Sequence, residues 1–394
     1  MLEGEASLKQ ISQDWDLVII GAGPAGAFAA YLLAQFSSKI LLVDKSHFPR
    51  PKVCGCCINN AAISLLESNS LAHVLADQGA VQLKQLCLFD ATQRARINLP
   101  RGVSLSRNRF DSELVKAAMA RGVTFVPGVS AQVLEAFPDH RSVQLRASDC
   151  EQNVNAKVVL VADGLNGRSL ERHPHFNFVT ETNSRFGCGT IMQDAPEFYQ
   201  AGQIYMACAS GGYVGLVRLE DGRVDVAAAI DRNFSRANAG PAKAAAKILQ
   251  LSNLPVPAAL IDSHWLGTEA LTRKRKHIAG ERIFILGDAC GYAEPFTGEG
   301  IAWALTSAAG VVDLVLSAMI QWSPSLITNW QQKHKEMIQV RQDRSKTIAL
   351  GLRNDQLRHF AMPIISSFPF IATSIINLIA EPTVVRHDKP QNAA

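Results

Sequence analysis

The sequence predicts an α/β protein: a Rossmann-type domain, interleaved with a mainly antiparallel β-sheet domain and followed by a helical C-terminal region. Three observations carry that reading. A glycine-rich turn joins two short buried runs near the N-terminus; a long middle segment alternates apolar and polar residues; an α/β pattern then returns before the chain becomes helical. At 394 residues the chain exceeds one usual domain. Its 47% hydrophobic and 19% charged content is globular, and a net charge of +4 is too mild to suggest a nucleic-acid partner.

In chain order, Asp16–Ile20 (DLVII) is a β-rich run ending in GAGPAG, a helix follows through Tyr31 to Phe36, and Lys39–Asp44 (KILLVD) closes on an acid. Strand, glycine turn, helix, strand and acid in this order raise a G-x-G-x-x-G match from weak to strong. Gly21 permits the tight turn, Gly23 lets the backbone approach a pyrophosphate, and Gly26 lets helix and strand pack closely. The helix N-terminus offers free N–H groups to the phosphates, and Asp44 can accept hydrogen bonds from ribose hydroxyls.

Further on, VQLKQLCLFD and ARINLP alternate like strands about a Thr-Gln turn, and Arg107–Gly122 reads as a helix with Asp111 near its start. TFVPGVSAQVLEAF, SVQLRA and KVVLVADG give three more strands. Residues 185–231 alternate repeatedly, with Asp221-Gly222 as a hairpin signal. RIFILGDAC restores the α/β pattern, and from Ser323 onward the chain is helical. Within that region Phe360–Ala380 carries no charge but contains Pro363 and Pro369. It is expected to form a broken helix pair that caps the core or rests on lipid, not a membrane span. Eight scattered cysteines and a polar N-terminus point to a reducing cytoplasm, with peripheral membrane contact through residues 360–380.

Three glycine-acid sites follow β-rich runs: GAGPAG, the Ala-Asp-Gly at 162–164, and GDACGYAEPFTGEGIAWAL from Gly287 to Leu305. Together they resemble the fingerprint, Asp-Gly and Gly-Asp motifs of FAD-dependent enzymes with the p-hydroxybenzoate hydroxylase fold. The resemblance spans roughly residues 14–320. It implies an FAD-binding domain of residues 14–60, 101–175 and 276–322, a substrate domain of 61–100 and 176–275, and a helical region of 323–394. Beside Gly21, Gly23, Gly26 and Asp44, it implies Ala25 and Lys45 in FAD binding. Arg107 is implied beside the diphosphate or ribityl chain, with Asp163, Gly287 and Asp288 along it. Pro295, Gly298, Glu299, Gly300 and Ile301 are implied at the flavin N1 and O2 edge, where a helix N-terminus stabilises the negative charge of reduced flavin. Asp163 also reads as a plain turn former.

The stretch PRPKVCGCCIN places three cysteines directly behind two cations. A zinc site needs a fourth ligand where only His47 is local, and Cys54 with Cys57 lacks the thioredoxin-like context of a redox pair. Pro49, Arg50, Lys52, Cys54 and Gly55 resemble the P-x-x-K-x-C-G-G signature of the geranylgeranyl reductase branch, departing at Cys56, where the branch usually has a second glycine. The resemblance makes Cys54 and Lys52 the catalytic candidates, with Cys54 a general acid or a pocket-shaping thiol. It implies an oxidoreductase that reduces a carbon–carbon double bond of an apolar, isoprenoid, lipid or quinone-like substrate, with NAD(P)H as a transient electron donor. Hydroxylation of an aromatic or polyketide-like substrate by a monooxygenase and flavin binding without turnover are the alternatives. Halogenation is disfavoured because W-x-W-x-I-P is absent. Phe186, Tyr205, Tyr213 and Phe296 are candidate walls of the substrate pocket.

Overall fold

The computed structural model describes residues 2–294, 296, 298–379 and 381. The glycine turn lies between β1 (Asp14–Ile20) and α1 (Pro24–Leu33), and β2 (Ile40–Asp44) follows. Every residue of α1 is buried, because the helix is enclosed between the sheet and two other helices, which explains its lack of a polar face. Next come β3 (Gln85–Phe89), β4 (Arg94–Asn98) and α2 (Arg107–Ala120), which ends before Gly122 at φ +91°. The run TFVPGVSAQVLEAF, expected as one strand, is split by Gly128 at φ +71° into β5 (Thr124–Pro127) and β6 (Ser130–Ala136). β7 (Arg141–Arg146) and β8 (Glu151–Val161) complete this part.

The middle of the chain supplies β9 (Phe186–Met192), β10 (Gln203–Ala209), β11 (Gly212–Arg218), β12 (Val224–Ile230) and β13 (Leu266–Ala270). Gly222, at φ +84°, sits in the expected turn between β11 and β12. After β14 (Ala279–Gly280) and β15 (Ile283–Ile285), α3 (Gly300–Ile320) crosses the core, and among the described residues the helices α4 (Ser325–His334), α5 (Val340–Arg353), α6 (Asp355–Ser367) and α7 (Pro369–Ile379) follow, with a π-helical turn at Lys335–Gln339 between α4 and α5. By length and composition α3 could cross a membrane, but two-thirds of its apolar window is buried in the protein.

One eight-stranded sheet runs β14-β15-β8-β1-β2-β5, with β7 and β6 added beside β8. From β15 to β5 it is parallel, so its strands are buried on both faces and read as continuous apolar runs. β1 lies between β2 and β8, so the glycine turn leaves the carboxyl edge where connections diverge, the usual ligand position in such sheets. The second sheet, β13-β9-β12-β11-β10-β3-β4, is antiparallel except between β10 and β3. The expected mixture of a Rossmann-type parallel sheet, an antiparallel sheet and C-terminal helices is the fold found.

Candidate active site

The two sheets enclose a cavity of about 420 Å³ that extends from the glycine turn to the antiparallel sheet. Gly21, Gly23, Ala25, Asp44, Lys45, Lys52, Cys54, Arg107, Asp163, Asp288, Gly298, Gly300 and Ile301 all line it. Residues brought from 280 positions apart therefore share one space. Gly26, Gly287 and Glu299 do not line it. A Cβ on Gly26 would stand 1.8 Å from the Gly21 carbonyl oxygen, and one on Gly287 would stand 2.9 Å from Cβ of Ala25. These glycines serve close packing, while the buried Glu299 carboxylate accepts a 2.8 Å hydrogen bond from Ser345 Oγ. Pro295 lies outside the described residues.

At the cradle end, Asp44 accepts hydrogen bonds from Ala22 N at 2.8 Å and Ser46 N at 2.9 Å, one on each carboxylate oxygen. Each oxygen keeps acceptor capacity for a ribose hydroxyl. No side chain caps α1, and a Cβ on Gly23 would meet only Arg50 Nη2, at 3.6 Å. The turn is thus open on the side that a pyrophosphate would occupy. Arg50 is the residue that the motif reading passed over. Its Nη2 is 3.3 Å from Asp111 and 3.9 Å from Asp44, and its Nε is buried with no hydrogen-bond partner. A buried, partnerless N–H beside an uncapped helix end suits a phosphate oxygen. These donors and acceptors fit FAD. The available signal was an arginine two positions before Lys52, within a stretch read mainly for its cysteines.

Arg107 is buried and donates to both oxygens of Asp111, at 2.7 and 2.8 Å. Burial pushes the Lys52 ammonium pKa down, and Arg107 and Arg50 add to that. Burial likewise pushes Asp288 up to about 6 against the pull of Lys52 and Arg107. Asp163 turns back to its own loop: its Oδ2 accepts from Ser169 N at 3.1 Å and Oγ at 2.7 Å, which is the turn-forming role. Its Oδ1 is buried without a partner, and burial raises its pKa.

The cysteines separate into distinct roles. Cys57 donates from Sγ to Gly55 O at 3.0 Å, and Cys54 and Cys57 are both free thiols. Cys54, on the cavity wall, has Cys56 as its neighbour; that thiol and the Arg107 guanidinium overcome burial and bring its pKa down to about 5. That direction favours the thiolate over the thiol and so weighs toward the pocket-shaping role of Cys54 rather than proton donation. Cys56 is fully buried at φ +52°, the left-handed region where the resembling branch has glycine.

Beyond this seam the walls are Gly187, Gly215, Ala227, Ala229, Leu271 and Met206, small or apolar residues that leave width for an apolar ligand. Tyr213 and Phe296 meet edge to face at 5.1 Å on the same wall. Tyr205 and Phe186 are not walls: Tyr205 packs into a separate core and donates to Phe198 O at 2.8 Å, and Phe186 borders a small neighbouring pocket. Tyr292 reaches the cavity with its hydroxyl beside Gly300 at the start of α3. Burial raises the pKa of both Tyr213 and Tyr292 well above that of a free phenol, so both keep their protons.

Residues 14–343 match the family described as FAD binding domain. Menaquinone reductase of Mycobacterium tuberculosis is 25% identical over 342 residues, covering 80% of each chain. Digeranylgeranylglycerophospholipid reductase 2 of Methanosphaera stadtmanae is 24% identical over 310 residues, covering 75% of this chain and 77% of its own. Among solved structures, a flavoprotein/dehydrogenase from Cytophaga hutchinsonii superposes with a TM-score of 0.78 at 17% identity, covering 93% of this chain and 92% of its own.

Proposed function

The chain belongs to the FAD-binding-domain family of oxidoreductases and monooxygenases, and we propose that it uses reduced flavin to saturate a carbon–carbon double bond in an apolar isoprenoid, lipid or quinone-like substrate. The observation that supports this most is the continuous cavity, open to a dinucleotide at one end and walled by small apolar residues at the other. The two reductases it resembles act, by name, on a quinone and an unsaturated lipid.

In this reading residues 14–60, 101–175 and 276–322 hold FAD, residues 61–100 and 176–275 hold the substrate, and 323–394 is the helical region, of which residues 380 and 382–394 lie outside the described residues. FAD held there would supply the hydride, with NAD(P)H as its transient electron donor. The open turn at Gly23 and the Arg50 Nε hold the diphosphate, and Asp44 orients the ribose. Gly298, Gly300 and Ile301 bring the N-terminus of α3 to the site where negative charge develops. Lys52 and Arg107 set the charge at the seam, Cys54 shapes the pocket, and Tyr292, with its hydroxyl in the cavity beside Gly300 and its pKa raised by burial, holds the proton for the second carbon. Apolar walls exclude water from both steps.

The test is anaerobic reduction of the purified holoprotein, followed by separate exposure to unsaturated lipid or quinone-like compounds and to oxygen. Rapid reoxidation by an alkene without oxygen, with recovery of the saturated product, is expected. Reoxidation by oxygen alone, with a hydroxylated aromatic product, would assign the chain to the monooxygenases. Failure of all acceptors would leave a flavin-binding protein without turnover.

A further inference from the structure

Eight of the sixteen large hydrophobic side chains most exposed among the described residues lie between Leu350 and Ile375. The most prominent are Phe360 at 78% and Phe370 at 65% exposure, joined by Leu357, Ile364, Phe368 and Ile375. Such clustering is unlike the scattered apolar residues of an ordinary surface. The opposite faces of α6 and α7 are buried: Met362 and Ala372 pack into the core that also holds Leu86, Met206, Tyr213 and Phe296. The hairpin is therefore a cap with an apolar outer face.

Three of its hydroxyls are paired within the protein. Ser366 Oγ donates to Arg94 O at 3.0 Å, Thr373 Oγ1 to Pro369 O at 3.1 Å and Ser374 Oγ to Phe370 O at 2.9 Å. In hydrocarbon an unpaired hydroxyl is costly, so this pairing makes the face compatible with lipid. No charged side chain interrupts residues 360–379. The two helices meet at 101°, so they cannot cross a bilayer as one span, and a bent amphipathic pair is suited to its interface. Finally, α7 is a wall of the cavity, through Ile376.

We propose that the α6–α7 hairpin docks on a lipid bilayer and that the cavity takes its apolar substrate from the membrane past α7. This rests on the apolar-substrate reading for the second clause alone; docking is independent of turnover.

The experiment is flotation of the FAD-loaded full chain with phosphatidylcholine vesicles, with and without phosphatidylglycerol, beside Phe360→Ser/Phe370→Ser and a control, Phe36→Ser, altered at an exposed site on another element. Flavin absorbance and the melting temperature establish that each protein is folded, and Phe360→Ser alone serves if the double variant is not. The wild type and the control are expected to float, and the hairpin variant to lose at least tenfold in partitioning, whether or not any alkene reoxidises the flavin. Equal flotation of wild type and hairpin variant, or flotation of neither, would overturn the proposal. So would a wild-type dimer, seen by sedimentation, that the hairpin substitutions dissolve, since the face would then belong to a second copy.

Discussion

At the cradle end of the cavity, a Cβ on Gly21 would stand 2.4 Å from Ala162 O, and one on Gly26 would stand 1.8 Å from Gly21 O. At the apolar end, a Cβ on Gly215 would meet nothing nearer than Met206 Cε, at 3.5 Å. Both ends are rich in glycine, but for different reasons. Gly21 and Gly26 are fixed by backbone against backbone, which cannot relax without moving a strand. The chamber glycine instead leaves volume beside flexible side chains. One end is therefore committed to a single ligand shape, while the other can change its contents without unfolding.

The largest break in that comparison is Gly26→Ala, which should cost about 3 kcal/mol or more by overpacking against backbone. It is expected to yield protein with little bound flavin and a markedly lower melting temperature; a yellow protein of unchanged melting temperature would show that the turn relaxes freely.

Next in size is Tyr292→Phe. If the phenol holds the proton, reoxidation by an alkene should slow by about 10²-fold, the usual scale for a lost general acid, while FAD content and flavin reduction hold steady. An unaltered reoxidation rate would remove Tyr292 from the reaction. Asp44→Ala follows, weakening FAD by about 1.5–3 kcal/mol as a charged hydrogen bond is lost. Titration of apoprotein with FAD measures it, and unchanged affinity would mean that the ribose lies elsewhere.

The cradle could be read from the sequence because its residues are neighbours there: Gly21 to Gly26 and Asp44 belong to a single β-α-β unit, and their roles follow from backbone geometry. Arg50 was hidden because its role depends on Asp44 and Asp111 meeting it in space. The walls of the chamber were harder still. Tyr213 reaches it but Tyr205 does not, a distinction set by which face of the antiparallel sheet each strand position takes, and Phe296 reaches it from the loop before α3. Alternation shows that faces exist without saying which one meets the cofactor. Gly215→Ala tests the contrast directly. Stability should move by less than about 1 kcal/mol, since the added methyl finds ordinary contact distances, while bulky substrates lose turnover. A drop as large as that of Gly26→Ala would erase the distinction between the two ends.

The smallest effect on stability is expected at the seam, from Cys56→Gly, which restores the residue of the resembling branch. The left-handed backbone at φ +52° is strained for cysteine and free for glycine, a relief of about 1 kcal/mol. Against it stand the greater chain entropy of glycine and the space left by a buried thiol, together of similar size, so the melting temperature should barely move. The thiol of Cys54 should respond much more. In the folded protein its pKa lies near 5, against an ordinary value of 9.0, chiefly because the Cys56 thiol favours the thiolate. Between those two values the unfolded chain binds a proton that the folded chain does not, so this group adds stability as pH rises through the window and loses it as pH falls toward 5. Removing the donor raises the folded pKa, flattens that slope and moves the midpoint of Cys54 alkylation by iodoacetamide upward. Arg107 remains, so the midpoint should stay below 9.0. A midpoint that does not move would mean that the guanidinium alone sets the thiolate, and that Cys56 is no more than a tolerated departure from glycine.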